Sequence, residues 1–245
     1  MPPEGVSPPP ASYANNADGT EIVQDGILQK PIHSERRMRI ICVGAGASGL
    51  LLAYKLQRSF ETFELVLYEK NEDIGGTWYE NNYPGYVRRA RTWKQLNRRL
   101  RCACDITAHT YTWSFEPNPD WSSVYAGSAE IRRYFDRFAD KHELRKYIKL
   151  NHQVSGAFWN EERGEYQVEV TDVKSGSIVH DYCHFFVNAT GVLNAWKWPD
   201  IPGLEEFGGP KLHTARWDSK IDLTGKHVGL IGNGCVVILY SFKNI

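Results

Sequence analysis

The sequence predicts an α/β fold built on a parallel sheet. Three observations point to this fold. A short β-branched run, 39–43, has the composition of a buried parallel strand and leads into a glycine-rich turn. An apolar helical segment, 50–56, follows the turn, and a second apolar strand, 63–68, ends near Glu69. A strand, a helix and a strand in this order form a βαβ unit, which builds parallel sheets.

The turn between the first strand and the helix has the spacing of a dinucleotide-binding loop, Gly44-x-Gly46-x-Ser48-Gly49. Gly44 allows the tight turn, Gly46 lets the backbone approach a pyrophosphate at the helix N-terminus, and Gly49 permits close helix–strand packing. Glu69 stands about twenty residues further on, where a carboxylate holds a ribose hydroxyl. The pattern predicts a Rossmann-like dinucleotide site. The acid alone does not separate FAD from NAD, and a glycine-rich turn of another α/β fold is the alternative.

Further elements are predicted downstream of the βαβ unit. Residues 128–147 keep the spacing of an amphipathic helix, with Ser128 as its N-cap. Strands at 154–158 and 166–170 flank a turn at Gly164 and predict a small β-meander, and a further strand is expected at 182–187. Residues 227–231 predict a strand that enters Gly232-Asn233-Gly234, the start of a second, truncated nucleotide-binding domain.

The composition is ordinary for a globular protein, since the 245 residues are 42% hydrophobic and 24% charged. The 29 basic and 29 acidic residues balance, so we expect no nucleic-acid or membrane-surface partner. The 5 cysteines lack metal-ligand spacing, so we expect free thiols and no metal site. No signal peptide and no apolar run of about 18 residues is present, so a cytoplasmic location is expected. Residues 1–36, rich in Pro, Asn and Ser, predict a disordered arm.

Three more motifs follow the βαβ unit in order. The first is Gly75-Gly76-Thr77-Trp78-Tyr79-Glu80, which continues to Tyr83-Pro84-Gly85, and the second is Ala189-Thr190-Gly191. The third is Phe207-x-Gly209-x-x-x-His213-x-x-x-Trp217-Asp218. Together with the dinucleotide loop, these motifs resemble those of the Baeyer–Villiger and related flavin-containing monooxygenases over about residues 38 to 235.

The resemblance implies a three-layer FAD/NAD(P)-binding domain over 37–195, an interdomain linker over 196–226 and a truncated start of an NADPH-binding domain over 227–245. It implies FAD and NADPH as cofactors and a small-molecule ketone and oxygen as substrates. The expected reaction converts the ketone to an ester or lactone through a peroxyflavin. The polar arm resembles that of fungal members in secondary metabolism. No sequence feature indicates an oligomeric state or a particular ketone.

The resemblance also assigns roles by motif position. Asp105 is expected to be the active-site carboxylate that orients a catalytic arginine, and Ala103, Cys104 and Asp105 to face the nicotinamide. His213 is interpreted as coupling domain positions, not as an acid or base, and Val154 as an adenine contact. The remaining expected cofactor contacts are Thr77, Trp78, Tyr79, Glu80, Ile106, Tyr111, Ala189, Thr190 and Gly191. The family fingerprint is Phe207, Gly209, His213 and Trp217.

Two segments depart from the family pattern. Residues 86–101 are a basic insertion without an acid, which we interpret as a translated intron or mis-predicted exon, or else as a basic amphipathic segment that binds an acidic partner or nucleic acid. After Cys235 the sequence leaves the family pattern, so we expect a truncated chain that is inactive alone. The alternatives are a nitrogen- or sulfur-oxidising flavin monooxygenase, which usually has Tyr or Phe at the Trp217 position, and a non-catalytic FAD-binding remnant.

Overall fold

The structure, a computed structural model, describes residues 23–24, 27–28, 37–83, 102–193, 195–223, 225–232 and 234. The basic insertion, Pro84 and Gly85 lie outside the described residues, as does Cys235. The chain divides into a unit up to Arg37 and a unit from Met38. In the first unit, strands Val23–Gln24 (β1) and Ile27–Leu28 (β2) pair antiparallel. At these positions the segment expected to be disordered has regular structure; the rest of 1–36 lies outside the described residues.

The predicted βαβ unit forms the centre of the second unit. Strand Met38–Val43 (β3), helix Ala47–Ser59 (α1) and strand Phe63–Glu69 (β4) follow one another, and β3 and β4 pair in parallel. Strand Ile148–Leu150 (β5) pairs in parallel with the end of β4. Strand Phe185–Asn188 (β9) pairs in parallel with β3, which gives the strand order β5-β4-β3-β9.

The helical layer contains the short helix Thr77–Glu80 (α2) and the helix Ser128–Lys141 (α3), with 3-10 helices at Ala108–Tyr111 and Leu144–Tyr147. The prediction of one helix over 128–147 is wrong at its C-terminal end, because Glu143 adopts a left-handed backbone with φ of 54°. The prediction of Ser128 as N-cap is also wrong. Gly127 is the N-cap, since its extended backbone pairs with Ala103 and places Ser128 inside the first turn.

An antiparallel meander covers the other face of the parallel sheet. It consists of strands His152–Asn160 (β6), Glu165–Asp172 (β7) and Ile178–Cys183 (β8), and the turn at Gly164 is present as predicted. The single strand predicted at 182–187 is wrong, because the chain leaves the meander at His184 and β9 joins the parallel sheet. His184 makes this transition by donating its backbone N–H to the Arg39 carbonyl and accepting the Arg39 N–H at Nδ1, both at 2.9 Å.

The side chains of β3 and β4 alternate between two cores, as the pleat of a strand requires. Cys42 and Leu67 pack with residues of α1 and α3. Ile41, Val66 and Tyr68 pack with the meander. The three predicted layers are therefore helices, parallel sheet and meander, and the double burial explains why both strands read as continuous apolar runs.

A partly buried ion pair joins the meander to the parallel sheet. The Arg39 guanidinium donates to both carboxylate oxygens of Asp181 at 2.7 and 2.9 Å, and Tyr68 donates its hydroxyl to Asp181 at 2.6 Å. Burial by itself raises the pKa of Asp181. Hydrogen bonds from Tyr68, the Tyr182 backbone and Arg39 outweigh it, so the pKa of Asp181 is lowered from its ordinary value.

The strand predicted at 227–231 is not formed. These residues are exposed and carry no regular secondary structure, because no other segment of the described chain pairs with them as a strand requires. The cysteines behave as expected where they are described, since Cys42, Cys102, Cys104 and Cys183 are buried free thiols. Among the described helices, none combines the length and apolar character needed to cross a membrane.

Candidate nucleotide-binding site

A cavity of about 490 Å³ opens at the carboxyl ends of β3, β4 and β9. The chain proceeds from β3 outward to β4 and β5, and β9 then pairs on the opposite side of β3. The cavity therefore lies where the strand order reverses, which is where open parallel sheets bind their ligands. The predicted cofactor residues that line it are Gly44, Gly46, Ser48, Glu69, Thr77, Glu80, Val154, Ala189, Thr190 and Gly191.

Two glycines of the loop are required by close backbone packing. Gly44 has a φ of 104°, and a Cβ at this position would lie 2.7 Å from the Ala189 carbonyl oxygen. A Cβ on Gly49 would overlap the carbonyl oxygen of Gly44 and press on Leu67. Gly49 is buried and does not line the cavity, so its role is to bring α1 close to the sheet.

Gly46 and Gly76 lie back to back in the cavity wall. A Cβ on Gly46 would lie 3.4 Å from the Gly76 Cα, and the Gly75 N–H donates to the Ala45 carbonyl at 3.2 Å. Helix α1 begins directly after Gly46, and Ala47 and Ser48 also line the cavity. No described side chain caps this terminus, and its first turn contains no acid. The free N–H groups of the helix N-terminus therefore suit a phosphate.

Glu69 supplies the acid that the motif requires. Its side chain is buried, Oε2 accepts the Ala45 N–H at 2.8 Å, and Oε1 accepts the N–H and Nδ2 of Asn71 at 3.0 and 2.9 Å. A carboxylate has about four lone-pair positions. Three hydrogen bonds leave one position for a ligand hydroxyl, and Glu69 faces the cavity where such a hydroxyl can bind.

Two polar residues after β4 extend this network, and the sequence reasoning missed both. Asn71 Nδ2 also donates to Glu80 Oε1 at 2.9 Å, and Lys70 pairs with the same oxygen at 3.0 Å. The network connects the Glu69 carboxylate with α2. Their position in the sequence could have identified them, because polar residues at the carboxyl end of a parallel strand tend to face a ligand.

Trp78 and Tyr79 of the predicted flavin loop point away from the cavity. The Trp78 ring packs edge-on against Tyr111 at 5.0 Å, and Tyr79 contacts Glu72 and Arg132 on the outer side of the loop. Neither residue lines the cavity. Their predicted flavin contacts therefore stay predictions.

Asp105 lies beside this aromatic pair. Tyr111 donates its hydroxyl to Asp105 Oδ1 at 3.2 Å, and burial together with the Asp105 charge raises the pKa of Tyr111 to about 12. Asp105 and Ile106 are exposed, whereas Cys104 is buried and Ala103 pairs with Gly127. These four residues do not line the cavity, and their roles toward an arginine and the nicotinamide stay predictions.

Comparisons with known proteins agree with this geometry. A family model described as an NAD(P)-binding Rossmann-like domain matches residues 42–127. The FAD-binding monooxygenase tazF of Aspergillus terreus is 40% identical over 206 residues, which are 83% of this chain and 34% of that protein. A Baeyer-Villiger monooxygenase of Streptomyces coelicolor is 36% identical over 82% of this chain and 34% of its own. The chain is therefore similar to flavin monooxygenases over most of its own length. It spans about a third of the length of these relatives and corresponds to their N-terminal part.

Two solved structures share the fold. The crystal structure of OTEMO in complex with FAD and NADP has a TM-score of 0.66 and 29% identity, over 84% of this chain and 36% of that one. An oxidized steroid monooxygenase bound to NADP has a TM-score of 0.60 and 32% identity, over 80% of this chain and 34% of its own. The three-layer fold predicted from the sequence is thus confirmed.

The family fingerprint lies apart from the cavity. His213 stacks on Trp196 with ring centroids 4.6 Å apart, and Trp198 meets it edge-on at 5.8 Å. His213 Nδ1 accepts the Ala215 N–H at 3.1 Å, so this nitrogen is unprotonated in the observed geometry. Phe207 is exposed. Phe207, Gly209, His213 and Trp217 do not line the cavity.

Four other residues that line the cavity were not predicted, although each lies close in sequence to a predicted one. His152 and Gln153 precede Val154 on β6, and Val192 and Ala195 follow Gly191. His152 Nδ1 lies 2.7 Å from the Leu150 carbonyl oxygen, which can only accept, so Nδ1 is the protonated nitrogen. His152 Nε2 is then the ring atom free of this hydrogen bond.

Proposed function

We propose that this chain forms the FAD-binding part of an FAD- and NADPH-dependent monooxygenase of the Baeyer–Villiger type, which oxygenates a ketone to an ester or lactone. The observation that carries the proposal is the cavity wall. It combines an uncapped helix N-terminus, a glycine backbone without side chains, and a buried carboxylate with one remaining acceptor position. The helix N-terminus suits a phosphate, the glycine backbone lets the cofactor approach closely, and the carboxylate can accept a ribose hydroxyl.

Each part of the chain has a distinct task in this proposal. The turn at Gly46 and the start of α1 hold the pyrophosphate, and Glu69 accepts a hydroxyl of the adenosine ribose. Thr77 and Glu80 face the cavity from α2 and orient the far end of the cofactor. FAD supplies the redox and oxygen chemistry when it is bound, and the protein binds and orients it.

Asp105 is proposed as a positioning carboxylate for an arginine. Tyr111 holds one of its oxygens, and the exposed side chain leaves the other oxygen accessible to a guanidinium. A carboxylate held in this way fixes the direction from which the arginine can approach. The proposed domain limits are 37–195 for FAD binding and 196–226 for the linker.

A role in fungal secondary metabolism is part of the proposal. It is supported by similarity to FAD-binding monooxygenases from Aspergillus terreus and Emericella nidulans, which are 40% and 37% identical to this chain. The ketone and oxygen are proposed as substrates on the same basis. The solved relatives include a cyclohexanone monooxygenase bound to epsilon-caprolactone, a lactone.

We further propose that this chain binds FAD without forming a working NADPH site. This is supported by residues 227–231, which form no strand ahead of Gly232 and so provide no second βαβ unit in the described chain. The chain by itself then acts as an FAD-binding part without turnover.

An FAD titration followed by anaerobic addition of NADPH tests both proposals. We expect the purified chain to bind FAD, measured by quenching of flavin fluorescence, and the bound flavin to stay oxidised after NADPH is added. Absence of FAD binding would contradict the proposed function. Bleaching of the bound flavin would contradict the second proposal alone.

A further inference from the structure

We propose that Arg132 is a positioning residue for the FAD site, because from helix α3 it clamps the loop 72–79 and holds Gly76 in the cavity wall. The inference rests on the proposed FAD-binding function. Arg132 itself does not line the cavity, so it acts through the loop and not by touching the cofactor.

Arg132 contacts the loop at both of its ends. Its Nη2 bonds to Asp73 Oδ2 at the beginning of the loop. The guanidinium carbon also lies 4.7 Å from the centroid of the Tyr79 ring at the end of the loop. A planar guanidinium can form a charged hydrogen bond and stack on an aromatic ring at the same time, which a lysine ammonium does less well.

The loop is closed by a second contact between its ends. Tyr79 donates its hydroxyl to Glu72 at 2.9 Å. Burial and this hydrogen bond raise the pKa of Tyr79 to about 12, so the hydroxyl keeps its proton and remains a donor at neutral pH. Arg132 therefore contacts a loop whose two ends are already joined by the hydrogen bond between Tyr79 and Glu72.

Asp73 is fixed by a second cation as well as by Arg132. Arg145 donates to Asp73 Oδ1 at 3.2 Å, and Arg145 is itself held by Asp136 and Asp140 at 3.1 and 2.6 Å. Burial alone raises the pKa of Asp73, but the Ile74 backbone N–H and the two arginines lower it overall. The carboxylate is thus held ionised between α3 and the segment that follows it.

The clamp reaches the cavity through two glycines. Gly75 and Gly76 have φ values of 119° and 52°, and a Cβ on Gly75 would lie 3.4 Å from Arg132 Cγ. A Cβ on Gly76 would lie 3.1 Å from the Gly46 Cα, at the position proposed for the pyrophosphate. A shift of the loop by a few tenths of an ångström would therefore change the width of the cavity beside Gly46.

The test compares Arg132→Met and Arg132→Lys with the matched control Arg133→Met, which alters the next, exposed residue of the same helix. FAD affinity, the visible circular dichroism of bound flavin and the melting temperature of the FAD-free chain are measured for each. We expect Arg132→Met to weaken FAD binding by about tenfold and to change the flavin dichroism, since the ion pairs with Asp73 and Asp136 are lost together with the cation–π contact. Lysine should restore part of the affinity, and Arg133→Met should match the unaltered chain.

The outcomes distinguish failure of the proposed FAD-binding function from failure of the inference about Arg132. Failure of the unaltered chain to bind FAD would overturn the proposed function, and the inference with it. Normal FAD affinity and dichroism in a folded Arg132→Met chain would overturn the inference alone. If Arg132→Met does not fold, the same measurements on the isosteric Asp73→Asn decide, and unchanged FAD affinity there would also overturn it.

Discussion

Replacement of Gly46 by alanine is expected to weaken FAD binding while leaving the stability of the fold almost unchanged. Gly46 is the N-cap of α1 with φ of −83° and ψ of −163°, which is extended backbone that alanine adopts without strain. The added Cβ would lie 3.4 Å from the Gly76 Cα and 3.8 Å from the Gly76 nitrogen. The first distance is tight enough that Gly76 must yield slightly, and neither is an overlap. The fold should therefore accept the methyl group.

The expected magnitudes follow from this geometry. Alanine lowers the entropy of the unfolded chain, which stabilises the protein by about 0.4–1 kcal/mol. Alanine is also a poorer N-cap, which costs a similar amount, so stability should stay within about 1 kcal/mol of the original. In the cavity the methyl group occupies the space proposed for the pyrophosphate. We expect FAD affinity to fall at least about tenfold, equivalent to about 1.4 kcal/mol.

The assay pairs thermal unfolding of the FAD-free variant with a fluorescence titration of FAD. The expected result is a near-normal melting temperature with weakened FAD binding. Gly46→Ala with both a normal melting temperature and normal FAD affinity would refute the placement of the pyrophosphate at Gly46. A large fall in melting temperature would instead show that the contact with Gly76 cannot yield.

Three further predictions concern the packing of Gly49, the Glu69 carboxylate and the ion pair between Arg39 and Asp181. Gly49→Ala should lower the free energy of unfolding by about 3 kcal/mol in a denaturant titration, because the new Cβ overlaps the Gly44 carbonyl; original stability would contradict this. Glu69→Gln should weaken FAD binding measured by calorimetry, because both Glu69 oxygens accept hydrogen bonds and the amide nitrogen of glutamine cannot accept one. Unchanged affinity would exclude Glu69 as the ribose ligand. Asp181, whose pKa is lowered from 3.8, stabilises the fold above that pH, and the effect is lost as pH falls through its folded pKa. Asp181→Asn should therefore flatten the dependence of melting temperature on pH in this acid range, and an unchanged acid profile would contradict the assignment.

The βαβ unit could be predicted because all its signals are local. The apolar runs of β3 and β4, the glycine spacing and the acid at the end of β4 lie within about thirty residues of one another, as a single supersecondary unit allows. The contact of Gly49 is local too, because a Cβ there would meet the Gly44 carbonyl and Leu67, whereas the contact of Gly44 is with the distant Ala189. At both positions a side chain would collide with backbone, which agrees with the packing expected from the glycine spacing.

The boundary between β8 and β9 was missed because it depends on distant partners. His184 changes sheets through two hydrogen bonds to Arg39, and Asp181 is held by Arg39 from the same strand. Nothing in the apolar run 182–187 marks the change, since both strands supply residues to buried faces. The Arg132 clamp is hidden for a similar reason, because a helix and a loop far apart in sequence create it.

The acid at the end of β4 also limits which nucleotide the cavity accepts. Glu69 already accepts three hydrogen bonds, so its remaining position can take a hydroxyl but offers no donor to another acceptor. A 2′-phosphate on the adenosine ribose would bring acceptor oxygens and negative charge against this buried carboxylate, with Glu80 close by. Lys70 does not compensate, because it is already paired with Glu80. The cavity therefore favours a dinucleotide with free ribose hydroxyls, such as FAD, and disfavours NADP, which in this proposal requires a separate site.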